Sequence, residues 1–516
     1  MNSLLKLFVL ALLIKYVHRV YNRSKYWPPG PRGLPILGNI FQLQGLSWYK
    51  FYRMEGSVWY DLYCPVVSLN LAGQPMIILN SHKAASDLLN RRSSTYSDRA
   101  RFIVGGEILT GGLNFGLISY NDRWRRMRRA AHEGLNVQAA EKYRPIQEVE
   151  AARLVNHLLC DPDNWDAHLR RSAASTVLCS VYGWDPIGPK DDPVVQRIND
   201  ITRRMARAAI PGANLVEIFP VMNHLPMWIA KWKREGSEWF AKDTKMFKSF
   251  LSDVKEQATT GKCKPCFSVS LLENQEKLRL DNEEAAWVAG IMFAGGSETT
   301  SSALIVFILA MVLYPDVMLR AQKEIDEVVG RDRLPNFGDY DKLPYIQATV
   351  KEVLRWRPVA PLGVPRRAAE SDWYEGHYIP KGALVISNIW AMNRDPELYP
   401  DYDEFRPGRF LDASGQVNKK FSDMASMGHV AFGFGRRICV GMNLALQSLF
   451  VDIACILWAL EIDKATGNDG NKIVPSRDAC VDDGVVVRPA PFVCKFTARA
   501  NVTDAMSDHI KGDSVM

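Results

Sequence analysis

The sequence predicts a mainly α fold with small β-sheets, in one large domain behind an N-terminal membrane anchor. Three observations lead there. Apolar residues recur at helical spacing from about residue 82 onward, with no internal repeat. After residue 40 no Pro/Gly/Ser-rich stretch divides the chain, so 516 residues do not resolve into separate domains. The chain opens on an apolar segment followed by basic residues.

That segment is unbroken from Leu7 to Ile14 and mostly apolar from Leu4 to Val20, interrupted by Lys6, Lys15, His18 and Arg19. A spanning helix needs roughly 20 apolar residues, with about 17 as the lower limit, so the segment either spans or lies in the interface. No small-residue cleavage site follows it, which argues against a removed signal peptide. Residues 1–32 hold Lys6, Lys15, Arg19, Arg23, Lys25 and Arg32 and no acid, or +6 of the net +7. The other 484 residues therefore sum to about +1, and no nucleic-acid partner is expected. The same basic cluster puts the body on the cytosolic side of a membrane anchored by residues 1–26. Trp27-Pro28-Pro29-Gly30-Pro31 begins a stiff, extended hinge over 27–40, because proline fixes φ and cannot continue a helix.

The body, residues 41–500, opens with a strand pair around Gly73, Val67–Leu71 with Pro75–Leu79. Trp124-Arg125-Arg126-Met127-Arg128-Arg129 is a basic helical turn. Read alone it is a solvated face, yet Trp124 and Arg128 stand at i and i+4, where an indole N–H and a guanidinium together suit a carboxylate. The other arginines face elsewhere, toward an acidic protein partner. Between Ile210 and Arg234, apolar and aromatic residues sit beside Lys231-Trp232-Lys233-Arg234. This is either a second membrane-surface contact or a Pro-broken loop over the core. Cys263-x-x-Cys266 is the only close pair among nine cysteines; without a second pair or histidines it is a loop thiol pair rather than a zinc half-site.

The longest helix signal runs from Asn282 to Tyr314 and stops at Pro315. In its middle lies Ala294-Gly295-Gly296-Ser297-Glu298-Thr299-Thr300. Two glycines inside a helix cost on the order of 1 kcal/mol each against alanine, so a flat ligand against the backbone is the expected reason for them. A phosphate-cradling loop is excluded, lacking a lysine and a preceding strand. Glu352 and Arg355 form an i,i+3 pair, and Tyr378–Ile386 reads as a hairpin-like strand pair. Residues 501–516 are a polar tail.

Near the carboxyl end, Phe432-Gly433-Phe434-Gly435-Arg436-Arg437-Ile438-Cys439-Val440-Gly441 places a cysteine in a glycine-rich loop. Arg437 and the N-terminus of the helix expected after Gly441 would favour a thiolate. The spacing of Phe432, Gly435, Arg437, Cys439 and Gly441 resembles the haem-thiolate loop of the cytochrome P-450 family, with Val440 where many members carry proline. The resemblance extends from the proline hinge to about Phe496. It implies haem b as cofactor, with Cys439 as the iron ligand and Phe432, Gly435 and Arg437 around it. Trp124 and Arg128 match the family's Trp-x-x-x-Arg contact to a haem propionate. Arg366 would reach a second propionate where many relatives have histidine. Gly295 lies beside the haem. Gly296, Glu298 and Thr299 match the oxygen-activation pattern, in which an acid and an alcohol relay protons. Arg409 joins Glu352 and Arg355 in a buried structural clamp, with Gly408 where the family usually has glutamate.

The implied activity is that of a monooxygenase inserting one atom of O2 into an apolar small molecule. NADPH–cytochrome P-450 reductase would supply the electrons, at the endoplasmic reticulum membrane with the catalytic domain facing the cytosol. The stretch from Arg355 to Pro365 also looks like fungal secondary-metabolite members acting on polyketides and terpenoids, of the O-methylsterigmatocystin oxidoreductase type. Two alternatives keep the haem: a non-catalytic sensor or electron carrier, and an isomerase or dehydratase. The intact acid–alcohol pair argues against both.

Overall fold

The computed structural model describes residues 26–43, 65–188, 193–209, 214–421, 428–500 and 502. The anchor expected over 1–26 and the tail expected over 501–516 lie outside them, save Tyr26 and Val502. The described chain is mainly helical with small sheets and divides into two compact units.

The first unit, built from residues up to Ala100, Ala360–Asp395 and Phe432–Ile438, carries most of the β structure. Strands β1 (Val66–Leu71) and β2 (Gln74–Leu79) pair antiparallel, with Leu71 opposite Gln74. Ala72 and Gly73 between them both have positive φ, the condition for a two-residue turn that matches strand twist. This is the expected hairpin. Strand β3 (Asp98–Arg99) lies at the far edge of the same sheet, next to β4 (Arg366–Arg367).

The expected pair across Tyr378–Ile386 is not one. After β5 (Asp372–Tyr374), β6 (His377–Ile379) turns back at Glu375-Gly376 and pairs with β5 alone. Strand β7 (Leu384–Ser387) instead runs parallel to β2 and antiparallel to β4, giving the sheet order β1-β2-β7-β4-β3. Pro380 has no N–H to continue a ladder, and Gly382 at φ +83° redirects the chain. The proline stretch also differs from a free hinge. Ser68 donates from its backbone N–H to the Pro29 carbonyl (2.9 Å) and Asn70 to the Asn39 side chain (2.7 Å), so the segment is a strap along β1.

The second unit holds the long helices. These are α1 (Asp122–Leu135), α2 (Arg144–Cys160), α3 (Trp165–Tyr182), α4 (Pro193–Ala209), α5 (Lys231–Thr259) and α6 (Phe267–Leu278). They continue with α7 (Asn282–Leu313), α8 (Pro315–Val328), α9 (Pro344–Trp356) and α10 (Met442–Ala459). Strands β8 (Leu460–Lys464) and β11 (Cys494–Ala498) form one antiparallel pair, β9 (Cys480–Asp482) and β10 (Val487–Pro489) another.

Helix α7 forms the axis of this unit. Asp281 caps it by accepting from the N–H groups of Glu283 and Glu284, while Glu284 reaches back to the Asp281 N–H. Pro315 ends it as expected and starts α8. Trp287, Phe293 and Phe307 along it are fully buried. Both α7 and α10 are long and apolar enough to cross a membrane, but most of each apolar stretch is buried inside the unit, as in core helices.

Candidate functional site

In a helix buried on nearly every side, one short stripe of α7 is open. Met292, Gly295, Gly296 and Thr299 fall at helical spacing and are exposed or half-buried, between the buried Ala294 and Thr300. The two glycines have separate causes. A Cβ on Gly296 would lie 2.9 Å from Val177 Cγ2, so Gly296 is there to let α3 approach α7. A Cβ on Gly295 would meet nothing within 4 Å; its backbone faces open space. Of the two glycines expected to make room for a flat ligand, Gly295 thus borders open space, whereas Gly296 serves the packing of α3.

Thr299 does not break the helix as threonine at such a gap could. Its hydroxyl donates to the Gly295 carbonyl at 2.8 Å and the helix runs on unbroken. An alcohol is thereby held on the open stripe. Glu298, one residue earlier and about 100° around the helix from Thr299, is half-buried at the edge of that stripe. Burial raises its carboxyl above the usual range, Asp483 adds to the rise, and Arg170, Arg488 and Arg203 oppose it.

Cys439 lies in the same unit, three residues before α10. The residue is exposed at its surface, yet its surroundings desolvate the thiol enough to raise it above its usual range. The Gly441 N–H and the positive charge of Arg128 oppose that rise. Within the second unit, the guanidinium acting on the sulfur comes from α1. Burial lowers Arg128, and Cys439 is the charge that counteracts it. Trp124, one turn before Arg128, is buried against Tyr120 with ring centroids 5.0 Å apart. Asn121 caps α1 by accepting from the Trp124 N–H at 2.8 Å, which sets the rotation of this face.

The remaining arginines of α1 are not all available to a partner protein, as the sequence suggested. Arg126 and Arg123 bind Glu284 at 2.8 and 3.1 Å, tying α1 to the start of α7. Arg125 and Arg129 stay exposed.

Phe432–Ile438, the other half of the cysteine loop, belongs to the first unit. Gly433 and Gly435 have positive φ, and a Cβ on Gly435 would sit 2.1 Å from the Leu89 carbonyl oxygen, so only glycine fits. The Gly435 N–H donates to Asn90 Oδ1 at 2.6 Å. Arg437 Nε donates to the Ser97 carbonyl at 2.8 Å. Arg366 donates to the Phe434 carbonyl at 2.6 Å and the Tyr96 carbonyl at 3.4 Å. It is 5% exposed, and burial lowers it to about 10. Among the described residues Arg366 forms no ion pair; its partners are these two carbonyls. Phe432 is half-buried.

The clamp forms as expected within the second unit. Arg355 binds Glu352 through Nε at 2.6 Å and Nη2 at 2.9 Å, with both side chains wholly buried. Arg409 Nε adds a bond of 3.1 Å, and the Arg406 N–H one of 2.7 Å, to Glu352 Oε1. Gly408 leaves no gap in this network. Arg409 donates instead to the carbonyls of Pro400 (2.9 Å), Asp401 (3.2 Å) and Glu404 (3.3 Å).

Within the second unit, an exposed cysteine before a helix and an open stripe at Gly295 leave room for a flat cofactor. The comparisons agree. The family model described as Cytochrome P450 matches residues 28–496. Across 96% of this chain and 93% of the relative, the sequence is 55% identical to Cytochrome P450 monooxygenase 58 of Postia placenta. It is 46% identical to a cytochrome P450 monooxygenase of Armillaria gallica, over 96% of this chain and 94% of that one. Against Cytochrome P450 monooxygenase iboC of Amanita muscaria it is 36% identical, over 95% and 94%.

Proposed function

The chain belongs to the cytochrome P450 family, and on that premise we propose that it is a membrane-bound monooxygenase of an apolar secondary metabolite, a terpenoid or polyketide, fed by NADPH through a reductase. The coarser part is its family's: it is a cytochrome P450 monooxygenase using haem b, bound through a cysteine thiolate. When bound, the haem supplies dioxygen activation, the thiolate pushing electron density toward O–O cleavage. The observation that carries the reading is the open stripe of α7, where Gly295 and Thr299 face free space in an otherwise buried helix.

In this reading Cys439 is the iron ligand, its negative charge favoured by the N-terminal end of α10 and by Arg128. Arg128 and Trp124 hold one propionate and Arg366 the other, while Arg437 and Gly435 shape the loop. The Thr299 hydroxyl presents a proton at the open stripe. Glu298, with its raised carboxyl and its outward set of charged neighbours, resupplies it. The narrower likeness to the O-methylsterigmatocystin oxidoreductase type belongs to this proposal, as does the endoplasmic reticulum membrane with the body in the cytosol.

Thr299→Ala is expected to keep a normal thiolate-haem spectrum and substrate affinity while lowering product formed per NADPH, the lost electrons appearing as hydrogen peroxide or water. General acid–base help is worth about 10²–10⁴-fold, and a water replacing the hydroxyl brings the loss toward the lower end. Product per NADPH in the parent enzyme should fall as pH rises through the raised Glu298 value, because only the protonated acid donates. Glu298→Gln should flatten that profile. Unchanged coupling in both variants would remove the relay.

The membrane claim rests on two segments. Phe219, Val221, Met227, Trp228 and Ile229 are exposed, Trp228 by 78%, beside Lys231 and Arg234. Deleting residues 1–26 should move much of the protein to the soluble fraction with haem binding retained. Adding Trp228→Ser and Ile229→Ser should release most of the remainder. Full retention after both changes would contradict this assignment.

A further inference from the structure

A surface cavity of about 470 Å³ in the second unit is lined by Arg320 of α8, Tyr345 of α9, and Arg406, Gly408 and Arg409 of the segment after the clamp. Three guanidiniums line it and no acidic side chain does. Their situations differ. Arg409 is held by Glu352 and three carbonyls, and Arg406 is paired with Asp401. Arg320 is exposed and stacks over the Tyr345 ring, 4.4 Å from its centroid; it makes no ion pair among the described residues. Glu324, one turn along α8, accepts instead from the backbone N–H groups of Tyr345 (2.8 and 3.0 Å) and Ile346 (3.1 Å).

Gly408 keeps the cavity open. A Cβ there would meet only Arg320 Nη1, at 3.9 Å, so a longer side chain at 408 would point straight at that guanidinium. The walls beside the arginines are Val317, Pro400 and Phe405, which reduce the water available to screen a charge.

We propose that this cavity is an oxyanion site taking free phosphate or a small phosphomonoester. Arg320 supplies the charge, and the Arg406 guanidinium nitrogen that does not bond Asp401 adds a second donor. Guanidinium groups bind phosphate oxygens in paired, charge-assisted bonds, which favours a doubly charged oxyanion over chloride. The site is separate from the oxygenation chemistry, since none of its lining residues is in the cofactor set.

The test is thermal unfolding of the full-length holoprotein in phosphate, glycerol 3-phosphate or chloride at matched ionic strength, so that general screening cancels. The melting temperature should climb with the logarithm of phosphate concentration over about a hundredfold range, as ligand linkage requires, and stay flat in chloride. Arg320→Gln should abolish the phosphate increment. Gly408→Glu should raise the melting temperature in chloride, by placing a carboxylate on Arg320, and also abolish the increment. If Arg320→Gln folds poorly, Gly408→Glu decides alone. Equal melting in phosphate and chloride for the parent protein, or an increment that persists in the variants, overturns the proposal.

Discussion

Cys439→Ala is expected to take substrate oxygenation down to the haem-free background while leaving the fold in place. The fold should persist because the sulfur is accessible and no apolar core side chain is lost with it. Activity should not persist because no other described cysteine has the same surroundings. Cys179, Cys266 and Cys455 are buried, and burial raises each thiol, to about 12 for the first two. Cys160 is exposed at the far end of α2, where the helix dipole disfavours a thiolate. Among the described cysteines, only Cys439 combines an accessible sulfur, a helix N-terminus just beyond it and the Arg128 charge. The check is product formed per mole of purified protein with reductase and NADPH, alongside far-UV circular dichroism. Substantial turnover in a well-folded Cys439→Ala protein would move the ligand elsewhere.

Glu352→Ala should be the most destabilising single change in the second unit outside its apolar core. The carboxylate is wholly buried and accepts from Arg355, Arg409 and the Arg406 N–H. Removing it strands a completely buried guanidinium on Arg355 and a nearly buried one on Arg409. Breaking a buried pair from one side costs about 3–5 kcal/mol, because the surviving charge stays desolvated. Arg409→Ala should cost less, since Glu352 keeps its bidentate partner and the carbonyls of Pro400, Asp401 and Glu404 can turn to water. Urea unfolding of the holoprotein, with haem content measured on the same samples, orders the variants. A Glu352→Ala protein as stable as its parent would mean that the clamp is dispensable.

Features set by near neighbours in the chain are legible in the sequence itself. The turn at Ala72-Gly73, the stop of α7 at Pro315, the helix after Gly441 and the Glu352–Arg355 pair each depend on residues a few positions away. Arg409 requires the family resemblance as well. What the sequence does not apportion is tertiary. Gly295 and Gly296 are equivalent as letters, yet one faces open space and the other admits Val177 of α3. Arg128 lies more than 300 positions from Cys439 in the chain, yet its charge acts on the sulfur, which no local pattern announces. Arg126 and Arg123 read as surface charge, whereas Glu284 lies beneath them and binds both. The hairpin expected across Tyr378–Ile386 fails for a local reason. The turn at Glu375-Gly376 pairs β6 with the strand preceding it, and Pro380 then releases the chain to a different sheet.

The carbon monoxide spectrum of the reduced full-length protein tests the central claim most directly. A thiolate ligand shifts the Soret band of the ferrous carbonyl complex strongly to the red in this family. The parent protein should show that shift, and Cys439→Ala or Cys439→His should lose it even where haem stays bound. A red-shifted band that survives in a Cys439 variant, or that is missing from correctly folded, haem-loaded parent protein, would contradict Cys439 as the haem ligand.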